Sequence, residues 1–266
     1  MPKVRKAKTV SSDNSVTIDV EKLMVPGAII IAGLMISLSV FLGIRSISES
    51  ALISSSVPTI TTAPADSPIT ADISTTIDDD AYLGNKETAT VAIVEFSDYE
   101  CPYCQLFFKE TYSQLIKAYV DTGKAIYVYR DYIAIPQHNP TATDEATAAE
   151  CVKKLAGNTK YFEFHDYVFT NTAANGDGIP GGKDMLKSKA VSLGIDEALF
   201  TQCLVDPAIA QEITKDETDS QTAGIRGTPG FVIGKLDASG NVTGYAVSGA
   251  QPLATFSGVI DSLLAQ

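Results

Sequence analysis

Cys101-Pro102-Tyr103-Cys104 places two thiols three residues apart. If the segment opens a helix, both side chains lie on one face and their sulfurs can bond without distorting the backbone. A cysteine at a helix start meets unpaired backbone N–H groups and the positive end of the helix dipole, which favour the thiolate. Pro102 suits the first turn, where the missing N–H costs no helical hydrogen bond. A low-pKa sulfur at position 101 is a good leaving group and the natural point of attack in thiol–disulfide exchange. Two other chemistries fit a Cys-x-x-Cys. Half of a zinc site would need two further ligands, and Cys151, Cys203, His138 and His165 offer no second paired spacing. A purely structural disulfide would close so short a loop that it would constrain little of the unfolded chain.

The elements on either side suit a site of this kind. Val91 to Phe96 is a short apolar run, the pattern of a strand buried on both faces. After the cysteines, Phe108, Tyr112, Leu115 and Tyr119 mark one face of a helix ending near Gly123, and Ala125 to Ile133 is rich in strand formers. Strand, helix and strand make a βαβ unit with parallel strands. A run of helices follows. One is closed by Gly157, a second covers Tyr161 to Phe169, and a third covers Lys183 to Leu193. A fourth is capped by Asp196, and a fifth opens at Pro207 and runs to about Thr222. Asn175 to Gly182 between them reads as a plain surface loop; its carboxylate and glycine content is faintly calcium-like, but the spacing fits no EF-hand. Phe231-Val232-Ile233 and Tyr245-Ala246-Val247 flank a hairpin turn at Asp237–Asn241, and Leu253 to Leu264 is a closing helix.

Charge and hydropathy divide the chain. Residues 1–45 carry six Lys/Arg against three Asp/Glu, and the remainder 14 against 29, for −12 overall. An acidic body repels phosphate backbones, so nucleic acid is not an expected partner. Val25 to Ile44 holds 20 residues without a charge, enough for a helix to cross a hydrocarbon core of about 30 Å. Five of the six N-terminal cations precede it, which predicts a cytoplasmic N-terminus (1–24), a single-pass anchor in the cell membrane (25–44) and an extracytoplasmic remainder. Residues 45–80 read as a flexible tether, with 17 Ser, Thr and Pro among the 35 from 46 onward. Residues 81–266 form the globular domain. Beyond the membrane cysteines can stay oxidised, so Cys151 and Cys203, on apolar stripes of two helices, are expected as a disulfide rather than two buried thiols.

Val94-Glu95-Phe96-Ser97-Asp98-Tyr99-Glu100-Cys101-Pro102-Tyr103-Cys104 resembles the active-site segment of DsbA-like proteins, extracytoplasmic disulfide oxidoreductases of the thioredoxin fold. Gly224-Ile225-Arg226-Gly227-Thr228-Pro229-Gly230-Phe231 is similar to their cis-proline loop, and Leu193-Gly194-Ile195-Asp196 with Phe200, Cys203 and Leu204 to part of their helical insertion. The resemblance covers about residues 81–266. It implies an α/β thioredoxin fold with an inserted α-helical subdomain at about 138–223, here preceded by one transmembrane helix. It implies a cis bond before Pro229, with Thr228 beside Cys101 where an extended substrate could pair. It implies a buried acid at Glu95 that exchanges a proton with Cys104, and a histidine at the place of His138, read here as structural. Some relatives resemble the Cys151–Cys203 arrangement. No cofactor is expected beyond the redox-active Cys101–Cys104 pair. The implied partners are cysteine-containing extracytoplasmic proteins and a quinone-linked membrane protein of the DsbB or VKOR type. The same residues run backwards as a reductase or isomerase, and a non-catalytic thioredoxin-like binding module is the alternative from another class. Tyr103 departs from the strongest oxidants of the family, which carry His at its position.

Overall fold

The structure is a computed structural model that describes residues 69–266. Among them no helix is long and apolar enough to cross a membrane, and the Val25–Ile44 span lies outside them.

Two strands made almost wholly of apolar and aromatic residues form the centre. β3 (Val91–Ser97) and β4 (Ala125–Asp131) are buried at every position and pair in parallel, with Glu95 beside Tyr129 and Ser97 beside Asp131. Their crossover is α1 (102–120), an α-helical turn Pro102–Phe107 that continues through π-helical stretches Phe108–Tyr112 and Ile116–Val120. The widened turns keep Tyr112, Leu115 and Tyr119 on the buried side. β5 (Gly230–Leu236) runs antiparallel on the other edge of β3, and β6 (Asn241–Ser248) follows by a hairpin. With β1 (Ile69–Thr76) and the two-residue β2 (Tyr82–Leu83) the sheet has the order β1-β6-β5-β3-β4-β2.

Between β4 and β5 come α2 (Thr141–Asn171), α3 (Gly182–Ser192), α4 (Glu197–Cys203) and α5 (Pro207–Thr222). Gly157, at φ 78° and ψ −179°, interrupts α2 in a conformation that only glycine adopts readily. Asp196 caps α4 by accepting the N–H groups of Ala198 and Leu199. The second half of α2 lays Tyr161, Phe162, His165 and Phe169 over Tyr127 and Tyr129 of β4 and Phe108 and Tyr112 of α1. This aromatic layer, with Phe256 of α6 (Leu253–Leu264), closes the face of the sheet on which Val91, Ile93, Cys101 and Cys104 lie.

Two expectations need correction. Residues 69–80 are part of the domain, not of the tether. The polar strand β1 pairs with β6, and a β-bulge separates Ala71 from Ile73. A Ser/Thr-rich strand with one face in water buries little, so composition reads it as linker although the backbone pairing holds it in place. Asp80 is fixed as well, by the buried Arg130 of β4. The Arg130 guanidinium lies 2.8 Å from Asp80 and from Asp216 of α5, 2.7 Å from Asp219, and over the Phe96 ring. Asp80, Glu212 and Asp216 stand close enough to share a cation, and Arg130 supplies that charge to two of them. The other correction concerns residues 175–182. The segment is not a plain surface loop, because its first half is tied to Glu100 beside the cysteines.

Removing Arg130 while keeping its carboxylates leaves Asp216 buried and unpaired, so Arg130→Met should cost about 3–5 kcal/mol of stability in urea denaturation. An unchanged midpoint would show that the carboxylates simply take up protons.

Candidate active site

β3 delivers the chain to the cysteines through a three-residue turn. The Cys101 N–H donates to the Asp98 carbonyl at 3.0 Å. Cys101 then serves as the N-cap of α1 at φ −78° and ψ 121°, and Pro102 is the first helical residue. Two buried carboxylates set this turn. Asp98 accepts the Glu100 N–H at 2.9 Å and pairs with Nδ1 of His138 at 2.6 Å. Glu100, wholly buried, accepts the N–H groups of Gly176 at 2.7 Å and Gly178 at 3.0 Å and the hydroxyl of Thr172. The Asn175 N–H donates to the Glu100 carbonyl at 2.7 Å. The 172–178 segment therefore aims N–H donors at a carboxylate, the polarity of an anion cradle and the reverse of a calcium loop. Polar residues at a strand end read from sequence as a solvated turn. Their partners lie 40 to 78 positions away, so nothing local in the sequence marks Asp98 or Glu100.

Both cysteines are thiols here and nearly inaccessible, Cys101 at 5% exposure and Cys104 at 0%. The Cys101 thiol donates to the carbonyl of Thr228 at 3.3 Å, and the Thr228–Pro229 peptide is cis. Their acidities diverge. Hydrogen bonding from Cys104 is the largest influence on Cys101; the Thr228 side chain and the N–H groups of Tyr103 and Cys104 add to it. Together they outweigh desolvation and bring Cys101 down to about 6. Cys104 lies deeper, where burial pushes its thiol well above the ordinary value, helped by its bond to Cys101 and by the charge of Glu95.

Glu95 lies in the middle of β3 at 1% exposure and accepts the hydroxyl of Tyr127. Burial raises its carboxyl to about 7, against the pull of hydrogen bonds from Tyr127 and Ser97. The side chain is thus buried in the strand and does not point to water. The structure thus brings Glu95, Cys101, Cys104, Thr228 and Pro229 together. Tyr103 stands out at 65% exposure and Leu106 beside it at 44%. Cys151 and Cys203 form a disulfide joining α2 to α4 across 52 residues, so neither is open to join a metal site at Cys101–Cys104. His165 is enclosed by aromatic rings, the nearest that of Tyr129 at 4.8 Å between centroids, and burial lowers its pKa. Ser97 and Tyr127, which bear on Glu95, were not among the residues the sequence marked. A serine in an apolar strand and one tyrosine among 11 carry no signal of their own.

Two outcomes follow from these acidities. The alkylation rate of Cys101 by iodoacetamide should follow its thiolate and reach half its maximum near pH 6, whereas a midpoint above 8 would remove the helix-start argument. Glu95 has a folded pKa above its unfolded one, so the folded state holds a proton that the unfolded chain gives up. Its contribution to stability is complete below about pH 4.5 and is lost as pH rises through about 7. Glu95→Gln should therefore gain stability relative to the parent between these limits, on the order of 3 kcal/mol by pH 8. Equal differences at pH 5 and pH 8 would place Glu95 in water.

Comparison with known proteins agrees with this geometry. The family model described as thioredoxin matches residues 76–251. A Rickettsia prowazekii protein, provisionally named a protein-disulfide oxidoreductase, is 33% identical over 91 residues, 34% of this chain; the match spans only 30% of that protein's length. Pseudomonas aeruginosa DsbA2 is similar in structure at a TM-score of 0.55 and 25% identity, over 69% of this chain and 93% of that one. Oxidised BdbD of Bacillus subtilis shares the fold at a TM-score of 0.61 and 20% identity, over 74% and 98%. With its cysteine pair at the start of α1, its cis-proline before β5 and its helical block between β4 and β5, the chain belongs to the thioredoxin family and has the DsbA-like form of that fold.

Proposed function

We propose that the protein is a thiol–disulfide oxidoreductase that introduces disulfides into secreted or membrane proteins. The observation that carries this reading is the opposed acidity of two sulfurs three residues apart beside a cis-proline. A substrate thiolate attacks the Cys101 sulfur of the oxidised pair. The substrate–Cys101 bond forms, the Cys101–Cys104 bond breaks, and its electron pair goes to Cys104. A second substrate thiolate then attacks the substrate sulfur of the mixed disulfide and releases Cys101 as thiolate. A thiolate stable near neutral pH leaves readily and favours the reduced protein, which is the property of a disulfide donor. An extended substrate segment would lie along the Thr228 backbone, as an added strand would.

The proposal places this domain on the outer face of the cell membrane, held by residues 25–44 through the Ser/Thr/Pro-rich stretch after them, with the N-terminus in the cytoplasm. Return to the oxidised state would fall to a quinone-linked membrane protein of the DsbB or VKOR type. Tyr103 supports a second reading, reductase or isomerase, because an exposed phenol brings no positive charge to the Cys101 thiolate. The reduction potential separates the two: a value near thioredoxin's, about −270 mV, would overturn the donor reading.

Cys101→Ser should abolish exchange with reduced, unfolded protein substrates, and Cys104→Ser should accumulate mixed disulfides visible on non-reducing gels. Full exchange in the Cys101 variant would overturn this assignment of the attacked sulfur, and absence of exchange in the parent would show a binding module that uses the pair only as a staple.

A further inference from the structure

We propose that the Ser97 hydroxyl is the proton relay between the Glu95 carboxyl and Cys104, through which the buried sulfur gains its proton when it leaves the active-site disulfide and loses it when it attacks. The inference rests on the exchange chemistry above and assigns a step within it.

Cys104 leaves as a thiolate in a place without water, since its side chain is wholly buried. Burial also makes that thiolate unfavourable, so the leaving sulfur must be protonated as the bond breaks. Glu95 is the acid of suitable strength, likewise cut off from solvent. Side chains alternate along a strand, so Glu95 and Ser97 project from the same face of β3, the face on which Cys101 and Cys104 pack. Ser97 is 0% exposed, and its hydroxyl interacts with both groups, favouring the charged form of the Glu95 carboxyl and of the Cys104 thiol. Yet among the described residues its Oγ completes no hydrogen bond of good geometry. A buried hydroxyl left without a fixed partner beside an acid and a thiol in the reduced protein is poised to form both bonds when charge develops on the sulfur. A hydroxyl both donates and accepts, so it can pass a proton and remain neutral.

The step balances. The substrate thiolate attacks Cys101 Sγ, and the electron pair of the broken S–S bond goes to Cys104 Sγ. Cys104 takes the Ser97 hydroxyl proton while Ser97 takes the proton of Glu95, leaving a Cys104 thiol, an unchanged serine and a Glu95 carboxylate. In reverse, a carboxylate at Glu95 draws the proton from Cys104 through the same oxygen. The groups facing Glu95 are Tyr127 and Tyr129 of β4 and Cys101, Cys104 and Tyr112 of α1, while β5 presents Phe231. In the oxidised protein the two thiols are absent and burial raises all three tyrosines, so Glu95 is the group of this set that titrates near neutrality.

The test is the reduction of the oxidised full-length protein by dithiothreitol, followed by stopped flow from pH 5 to 9 in H2O and D2O. The parent should show a rate term carried by an acid of pKa near 7, with a normal solvent isotope effect. Ser97→Ala should lose that term and the isotope effect and slow at least about tenfold at pH 6. Alkylation of reduced Cys101 should remain as in the parent, and Ser97→Thr, which keeps a hydroxyl, should restore the pH term. A Ser97→Ala variant with the parent's profile overturns the relay. So does a uniform slowing with unchanged pH dependence and isotope effect, which a packing role would produce. Failure of the parent itself to react with dithiothreitol would instead overturn the exchange reading.

Discussion

Exclusion of water at the carboxyl end of β3 is the constraint on which the rest of the structure depends. A strand buried on both faces has no room for a free charge, yet this one carries Glu95 and ends beneath two cysteines. Desolvation acts on all three groups and drives each toward its neutral form. It prevails at Glu95 and at Cys104. At Cys101 it loses, because that sulfur alone sits at the open start of α1, where N–H groups without helical partners and a neighbouring thiol can donate to it. One helical turn thus separates a sulfur that ionises readily from one that does not. The exchange proposed above would use that difference, with the outer sulfur leaving as an anion and the inner one taking up a proton as it leaves.

The helical block is what keeps the water out. Without α2 the Tyr127 and Tyr129 face of β4 would lie open, and Glu95 with it. The block is held by means that differ in kind. The Cys151–Cys203 disulfide joins α2 to α4 and restricts the unfolded chain by roughly 4 kcal/mol on the loop-entropy model. Arg130 ties β4 to α5 through buried charge, and Glu100 ties the cysteine turn to the segment after α2. The last of these bears directly on the site. A shift of the 172–178 segment would move Glu100, and the next residue along the chain is Cys101.

The sequence made legible what local chemistry dictates. The Cys-Pro-Tyr-Cys spacing at a strand end, the Thr-Pro before an apolar strand and the capping aspartate at position 196 each carry their geometry within a few residues. Long-range polar contacts were not legible. Asp98 with His138, Glu100 with Gly176 and Gly178, and Arg130 with Asp216 join residues that no periodicity links. Their burial follows from the packing of helices that meet only after folding. β1 is illegible in the sequence for a related reason: its alternation is weak, and what fixes it is backbone pairing with β6, which side-chain composition does not record.

Tyr103 shows how the site manages without a formal charge. A cation at this position would hold the Cys101 thiolate by Coulomb attraction from an exposed side chain, an interaction that solvent and salt weaken. Here the work falls to short-range donors: the thiol of Cys104, the side chain of Thr228 and the N–H groups of Tyr103 and Cys104. These dipoles are fixed by the N-cap geometry of Cys101 and by the loop before β5, so they are in place before the thiolate forms and need no rearrangement when it does. Preorganised dipoles around a sulfur 5% exposed suffer less screening than a surface cation would. A phenol in place of a cation therefore still leaves the sulfur acidic, because the fold supplies the stabilisation from the backbone side.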